Sequence, residues 1–123
     1  MYSFKVLEGR YAVAWLSPGS HPDWVPPDGF TAVTRTSTET SVVCPEDAVP
    51  EDVKAQKGWR ILGLVGPFDF ALVGVLASVI NPLAAARVPI FAISTFETDY
   101  ILIPEEHFAR ALTVLQEAGH HRA

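Results

Sequence analysis

Residues Ile93–Glu106 spell ISTFETDYILIPEE, and Thr36–Asp47 spell TSTETSVVCPED. Both stretches carry Ser-Thr, then Glu-Thr, then an apolar run, then proline with two acidic residues. The second copy reads as a strand, a turn at Thr95–Thr98, a returning strand and a helix start. Proline suits the first turn of a helix, and carboxylates suit its positive end. Overlaying the copies by their shared letters requires an extra residue, Phe96, before Glu97 and another before Pro104, and it sets Asp99 in place of Ser41. A drifted duplication explains the match and the gaps; convergent turn chemistry is the alternative.

Working outward, Pro89–Ser94 and Asp99–Ile103 are expected strands, and Phe108, Ala111, Leu112, Leu115 and Ala118 form one apolar helix face closed by Gly119. Upstream, Arg60–Val65 is an apolar strand broken by Gly66-Pro67. A helix is expected from Asp69 to about Ala86, with Phe70, Val73, Ala77, Ile80 and Ala84 on its stripe and Pro82 kinking it. The second half therefore spells strand–helix–strand–strand–helix, and a last strand would complete a βαββαβ antiparallel sheet. In the first half, Ser3–Val6 and Tyr11–Leu16 suggest a hairpin. Ser17–Gly29 holds four prolines and reads as a loop. Phe30–Thr36 and Ser41–Cys44 suggest strands joined by a turn at Ser37–Thr40, and Pro45–Lys57 a short helix or turn. The fold class is α+β: two βαββαβ modules, residues 1–59 with the first helix replaced by the proline-rich loop, and residues 60–123.

The chain has 123 residues, 49% of them hydrophobic, enough for one compact globule or two small modules. A net charge of −5 disfavours nucleic acid or an anionic membrane as partner. The single cysteine, Cys44, fits a reducing compartment. No targeting segment stands out, and the apolar Leu62–Ile80 is interrupted by Gly63, Gly66, Pro67 and Asp69, so a soluble, cytoplasmic protein is expected.

The GPFD turn opening a helix, followed by VPIFAISTFETDYILIPEE, resembles the ACT domain, in particular tandem small bacterial proteins related to the cytosolic arginine sensors of animals. The resemblance extends through GFTAVTRTSTETSVVCPED. It implies paired ferredoxin-like modules that bind an amino acid or similar small ligand at the seam between modules, and a homodimer or larger assembly. Without a catalytic residue set, such a chain is expected to act on a regulated protein partner or to buffer its ligand, and no cofactor is expected. Carried over by position, the turn after the first strand gives Gly66 and Asp69, and Phe68 between them is a candidate ligand shelf. The start of the second strand gives Pro89 and Ile90, where Pro89 offers no N–H. The following turn gives Thr95, Phe96 and Asp99.

The residues themselves support a pocket there. Gly66 permits close approach to backbone. A helix beginning near Pro67–Asp69 would offer unpaired N–H groups to a carboxylate, while Asp69 and Asp99 would favour an ammonium. Each also has a plain structural reading: Asp69 as a helix N-cap, Asp99 at a strand start, Phe68 and Phe96 as core, Thr95 as a turn hydroxyl. His107, His120 and His121 lack the spacing of a metal site, and His120 and His121 read as a frayed terminus. Cys44 reads as a buried small hydrophobe rather than a nucleophile. Trp24 could cover a pocket or interface. No residue set suggests catalysis, so a ligand-binding regulator is expected, with a structural or protein-interaction module as the alternative.

Overall fold

The structure, a computed structural model, describes residues 1–66, 68 and 73–123. The expectations for Asp69 and Phe70 lie outside the described residues. The chain divides into two compact units: Met1–Glu8 with Arg60–Ala123, and Gly9–Trp59. The first eight residues, assigned by sequence to the first module, therefore pack with the second. The cause is strand pairing. β1 (Ser3–Val6) runs antiparallel to the last part of β5 (Lys54–Leu64), pairing Phe4 with Leu64 and Val6 with Leu62. It does not form the expected hairpin with β2 (Tyr11–Leu16), which pairs instead with β4 (Thr40–Pro45) and with the first part of β5.

In the discontinuous unit, β6 (Phe91–Ser94) pairs with β7 (Asp99–Pro104), and β7 with β5. The place expected for a last strand is thus held by β1 from the chain start. β8 (His121–Arg122) adds a two-residue parallel bridge beyond it. Two helices cover one face: α1 (Val75–Ala85) and α2 (Glu105–Glu117). Phe4, Leu62, Leu64, Ile101 and Ile103 from the strands meet Val79, Leu83, Phe108 and Leu115 from the helices. Burying each such side chain contributes about 1.5–3 kcal/mol.

α1 differs from its expectation. It starts at Val75, after Gly74 in the left-handed conformation (φ 83°), and buries Val75, Val79 and Leu83. Of the predicted stripe, Val73 is 87% exposed, and Ala77 and Ala84 are exposed. An almost wholly apolar helix offers more than one stripe of 3.6-residue period, so periodicity alone does not choose between them. The helix ends with Arg87 at φ 60°. Arg87 N–H donates to the Ala84 carbonyl and Val88 N–H to the Leu83 carbonyl, the bonding pattern of a Schellman cap with arginine where glycine is usual. α2 closes the same way with Gly119 at φ 96°, as expected, its N–H donating to Gln116 and that of His120 to Leu115.

His120 is not frayed. It is 3% exposed, and its ring stacks on Tyr2 at 5.9 Å between centroids. Arg60 lies over the Phe108 ring, 4.4 Å from its centre, and pairs with Glu105 at 3.3 Å.

The Gly9–Trp59 unit orders its strands β3 (Ala32–Arg35), β4, β2 and the first part of β5. Residues 54–57, expected to belong to a short helix or turn over Pro45–Lys57, are instead the start of β5, which runs on through Gly58. At φ 82°, Gly58 forms a bulge that shifts the β2–β5 register between Tyr11 and Val13. Its N–H donates to Glu46 Oε1 at 2.9 Å. A small core of Ala12, Ala14, Val42, Cys44 and Val49 is covered by Trp24 and Val25 from the proline-rich loop.

The two quoted stretches fold alike, but in a different register from the letter match. β3 and β4 pair Arg35 with Thr40 and Ala32 with Val43; β6 and β7 pair Ser94 with Asp99 and Phe91 with Leu102. Every position is offset by 59, with no gap. Phe96 is therefore no insertion and matches Ser37, while Asp99 matches Thr40. The turns agree in detail. Thr36 N–H donates to the Glu39 carbonyl at 3.0 Å and Thr95 N–H to Thr98 at 2.8 Å. Each threonine hydroxyl also accepts the N–H three residues on, at 3.2 and 3.3 Å. After β4 the chain makes one 3-10 turn, Glu46–Ala48, where α2 follows β7. Pro50 ends it, since a proline inside a helix removes a donor and clashes with the preceding turn.

Candidate functional site

The first turn of α1 faces the β6–β7 turn across a cleft of about 300 Å³. On the helix side it is lined by Gly74, Val75, Leu76 and Ala77, on the turn side by Ser94 through Asp99, with Phe68 between. No side chain caps α1, and its first helical bond runs from Ser78 N–H to the Gly74 carbonyl. The N–H groups of Val75, Leu76 and Ala77 therefore have no acceptor within the helix, and the positive end of the helix dipole lies at the cleft. This end sits further along the chain than the Pro67–Asp69 start expected from sequence.

The turn side is acidic. Glu97 and Asp99 both line the cleft, and the described lining holds no lysine or arginine. Ser94 Oγ donates to Asp99 Oδ1 across the strand pair. This bond engages one of the two Asp99 carboxylate oxygens. Thr95 acts as a turn hydroxyl, donating to the Thr98 carbonyl at 3.2 Å. Phe96 stands at the tip of the turn, 79% exposed, and so is not core. Phe68 is half-buried with its ring edge-on to Tyr2, 5.7 Å between centroids.

A second cleft of about 250 Å³ lies beside the first, lined by Lys5, Leu64, Val65, Gly66, Glu97, Thr98 and Tyr100. Gly66 belongs here. A Cβ on Gly66 would come within 3.0 Å of the Glu97 carbonyl, which accepts the Phe68 N–H at 2.9 Å. The close approach this glycine allows is thus to the protein's own backbone.

Of the candidate ligand residues, the structure gathers Phe68, Thr95, Phe96 and Asp99 on one cleft and Gly66 on its neighbour. Pro89 and Ile90 line neither; Pro89 is exposed, and Ile90 packs against the core. Glu97, Thr98 and Ser94 were missed although adjacent to chosen residues. Alternation along a strand does not separate them from the chosen residues, and the turn brings the whole of Ser94 through Asp99 to the cleft. Lys5 was missed because nothing in the sequence signals that β1 lies beside Gly63. Cys44 is fully buried, and burial pushes its thiol up from the ordinary value, which disfavours the nucleophilic thiolate. No helix of the described residues is long and apolar enough to cross a membrane.

Comparison with known proteins extends this geometry. The family model of the ACT domain matches residues 54–117, just over half of the chain, and a second model, described as an N-terminal domain, matches residues 9–52. The human cytosolic arginine sensor for mTORC1 subunit 1 is 39% identical over 90 residues, covering 72% of this chain and 27% of that protein. The chain thus spans about a quarter of the length of the curated relatives it matches. A crystal structure of an Agobacterium tumefaciens protein superposes with a TM-score of 0.93 at 36% identity, covering 99% of this chain and 92% of that one. The regulatory subunit of aspartate kinase from Thermus flavus superposes at 0.66 with 11% identity, covering 94% and 95%, a likeness of fold alone. By its sequence match, with β5, α1, β6, β7 and α2 following in the expected order, the chain belongs to the ACT-domain family.

Proposed function

We propose that this chain is a non-catalytic regulatory protein that binds an amino acid in the cleft between the first turn of α1 and the Ser94–Asp99 turn. One observation carries the reading: the uncapped first turn of α1 and the acidic residues Glu97 and Asp99 line the same small cleft. That arrangement suits a zwitterion, with its α-carboxylate on the helix end and a cationic group toward Asp99 and Glu97. Further backbone contacts from Pro89 and Ile90 belong to an opposed ACT module in a homodimer, where they would close the open side. Ligand binding then shifts the population between arrangements of modules and alters a protein partner. Asp69 remains a ligand residue in this proposal by resemblance.

A thermal-shift panel of the twenty L-amino acids tests it, with L-arginine first in view of the human relative's name. At least one raises the melting temperature in a concentration-dependent way, and Asp99→Asn removes that shift while leaving the ligand-free melting temperature within about 3 °C. A well-folded sample that responds to none would falsify amino-acid sensing. The exposed Phe96 and Val73 favour a second reading, a protein-interaction module with a lapsed pocket. In that case Phe96→Ser weakens partner binding and no amino acid shifts the melting curve.

A further inference from the structure

Pro82 lies inside α1. Without an N–H it leaves the Ser78 carbonyl, one turn earlier, lacking its helical donor, and its ring crowds that carbonyl. His120 Nε2 lies 2.9 Å from the same oxygen, while His120 Nδ1 accepts the Tyr2 N–H at 3.3 Å. One neutral tautomer meets both demands, with the proton on Nε2 and Nδ1 bare. The imidazole thus stands in for the peptide N–H that proline removed. Its own place is fixed by the Tyr2 ring and by the His120 N–H bond to the Leu115 carbonyl.

Ser78 is also the residue that closes the first turn of α1. Its N–H donates to Gly74, and its Oγ donates to the Val75 carbonyl at 2.7 Å. Both acceptors belong to residues lining the cleft. We propose that His120 is a positioning residue for the cleft: by capping the Ser78 carbonyl it fixes the path of α1 and aims its first turn at the Ser94–Asp99 turn. The link to binding rests on the reading of that cleft as an amino-acid site; the link to α1 does not.

The test uses the full chain with His120→Ala, His120→Gln, Pro82→Ala and the Pro82→Ala/His120→Ala pair. His120→Ala is expected to lower the melting temperature by about 5–10 °C and to speed exchange of the Ser78 amide by roughly tenfold. Glutamine carries a donor and an acceptor on one side chain and recovers most of both. In the Pro82→Ala background, the restored peptide N–H serves the Ser78 carbonyl, and His120→Ala then loses less than half as much. Equal losses in the two backgrounds overturn the proposal, because His120 would then act only through packing. L-arginine titration is the second readout. Where the native chain responds, His120→Ala weakens the response by about tenfold and His120→Gln restores it, and unchanged affinity in His120→Ala overturns the positioning role. Where the native chain responds to no amino acid, the functional reading falls, and the exchange cycle alone decides the role of His120.

Discussion

Arg87 ends α1 in a conformation that side chains other than glycine avoid, at a cost of about 1–2 kcal/mol. The helix tolerates it because the Schellman bonds to Leu83 and Ala84 require that geometry, and Arg110 adds a contact by donating to the Arg87 carbonyl at 3.4 Å. Arg87→Gly keeps the backbone bonds and that carbonyl while removing the strain, at the expense of extra freedom in the unfolded chain. The balance is a gain of about 0.5–1 kcal/mol, read as a melting temperature a few degrees higher by calorimetry. A fall instead would mean that the arginine side chain contributes more than its backbone costs. His120 shows the converse at the same scale. Its partners lie 118 and 42 positions away, so no local pattern around residue 120 distinguishes it from the exposed His121.

Elements with strong local signals were legible in sequence, and those set by distant partners were not. β7, the Thr95–Thr98 turn and the start of α2 follow from a β-rich run, a hydroxyl that bonds its own turn, and the proline and acidic residues before the helix. The start of α1 was misplaced because the apolar run gives no polar face to mark where helix begins. The hairpin register was misread because letter identity, Glu-Thr against Glu-Thr, outweighed strand pairing. Residues 54–57 were read with the acidic, proline-bearing run before them as a short helix or turn, whereas pairing with β2 makes them strand and carries β5 on through Gly58. That glycine gives an element-scale prediction. A Cβ at Gly58 would meet nothing within 4 Å, so Gly58→Ala is penalised by its φ alone, about 1–2 kcal/mol. Chemical denaturation should show that loss, with the β2–β5 register retained in amide chemical shifts. A neutral substitution would show that the bulge relaxes to a regular ladder.

At the scale of the molecule, the sequence made two consecutive modules visible but not that one unit is interrupted by the other. The discontinuous unit depends on β1: Phe4 is 1% exposed in its core, and β1 is the antiparallel neighbour of β5. Leu7 N–H donates to the Ile61 carbonyl at 3.0 Å, so the chain leaves this unit and returns to it at adjoining points of one strand pair. Replacing Gly9–Trp59 by Asn-Gly would join Glu8 to Arg60 through a two-residue turn of the kind that suits antiparallel strands. The shortened chain is expected to unfold cooperatively and to keep cross-strand contacts between Phe4 and Leu64, seen by nuclear Overhauser effects. Deleting Met1–Glu8 from the full chain should do the opposite. It removes a strand and a core phenylalanine, worth about 3–5 kcal/mol for the side chain alone, a large fraction of a small domain's stability. A shortened chain without a cooperative transition, or a deletion that leaves Val79, Leu83 and Leu115 as protected as before, would show that β1 is not what completes this unit. With both outcomes as expected, the residues that build the α1 cleft would be confined to a unit that folds without Gly9–Trp59, and the amino-acid panel could be repeated on it directly.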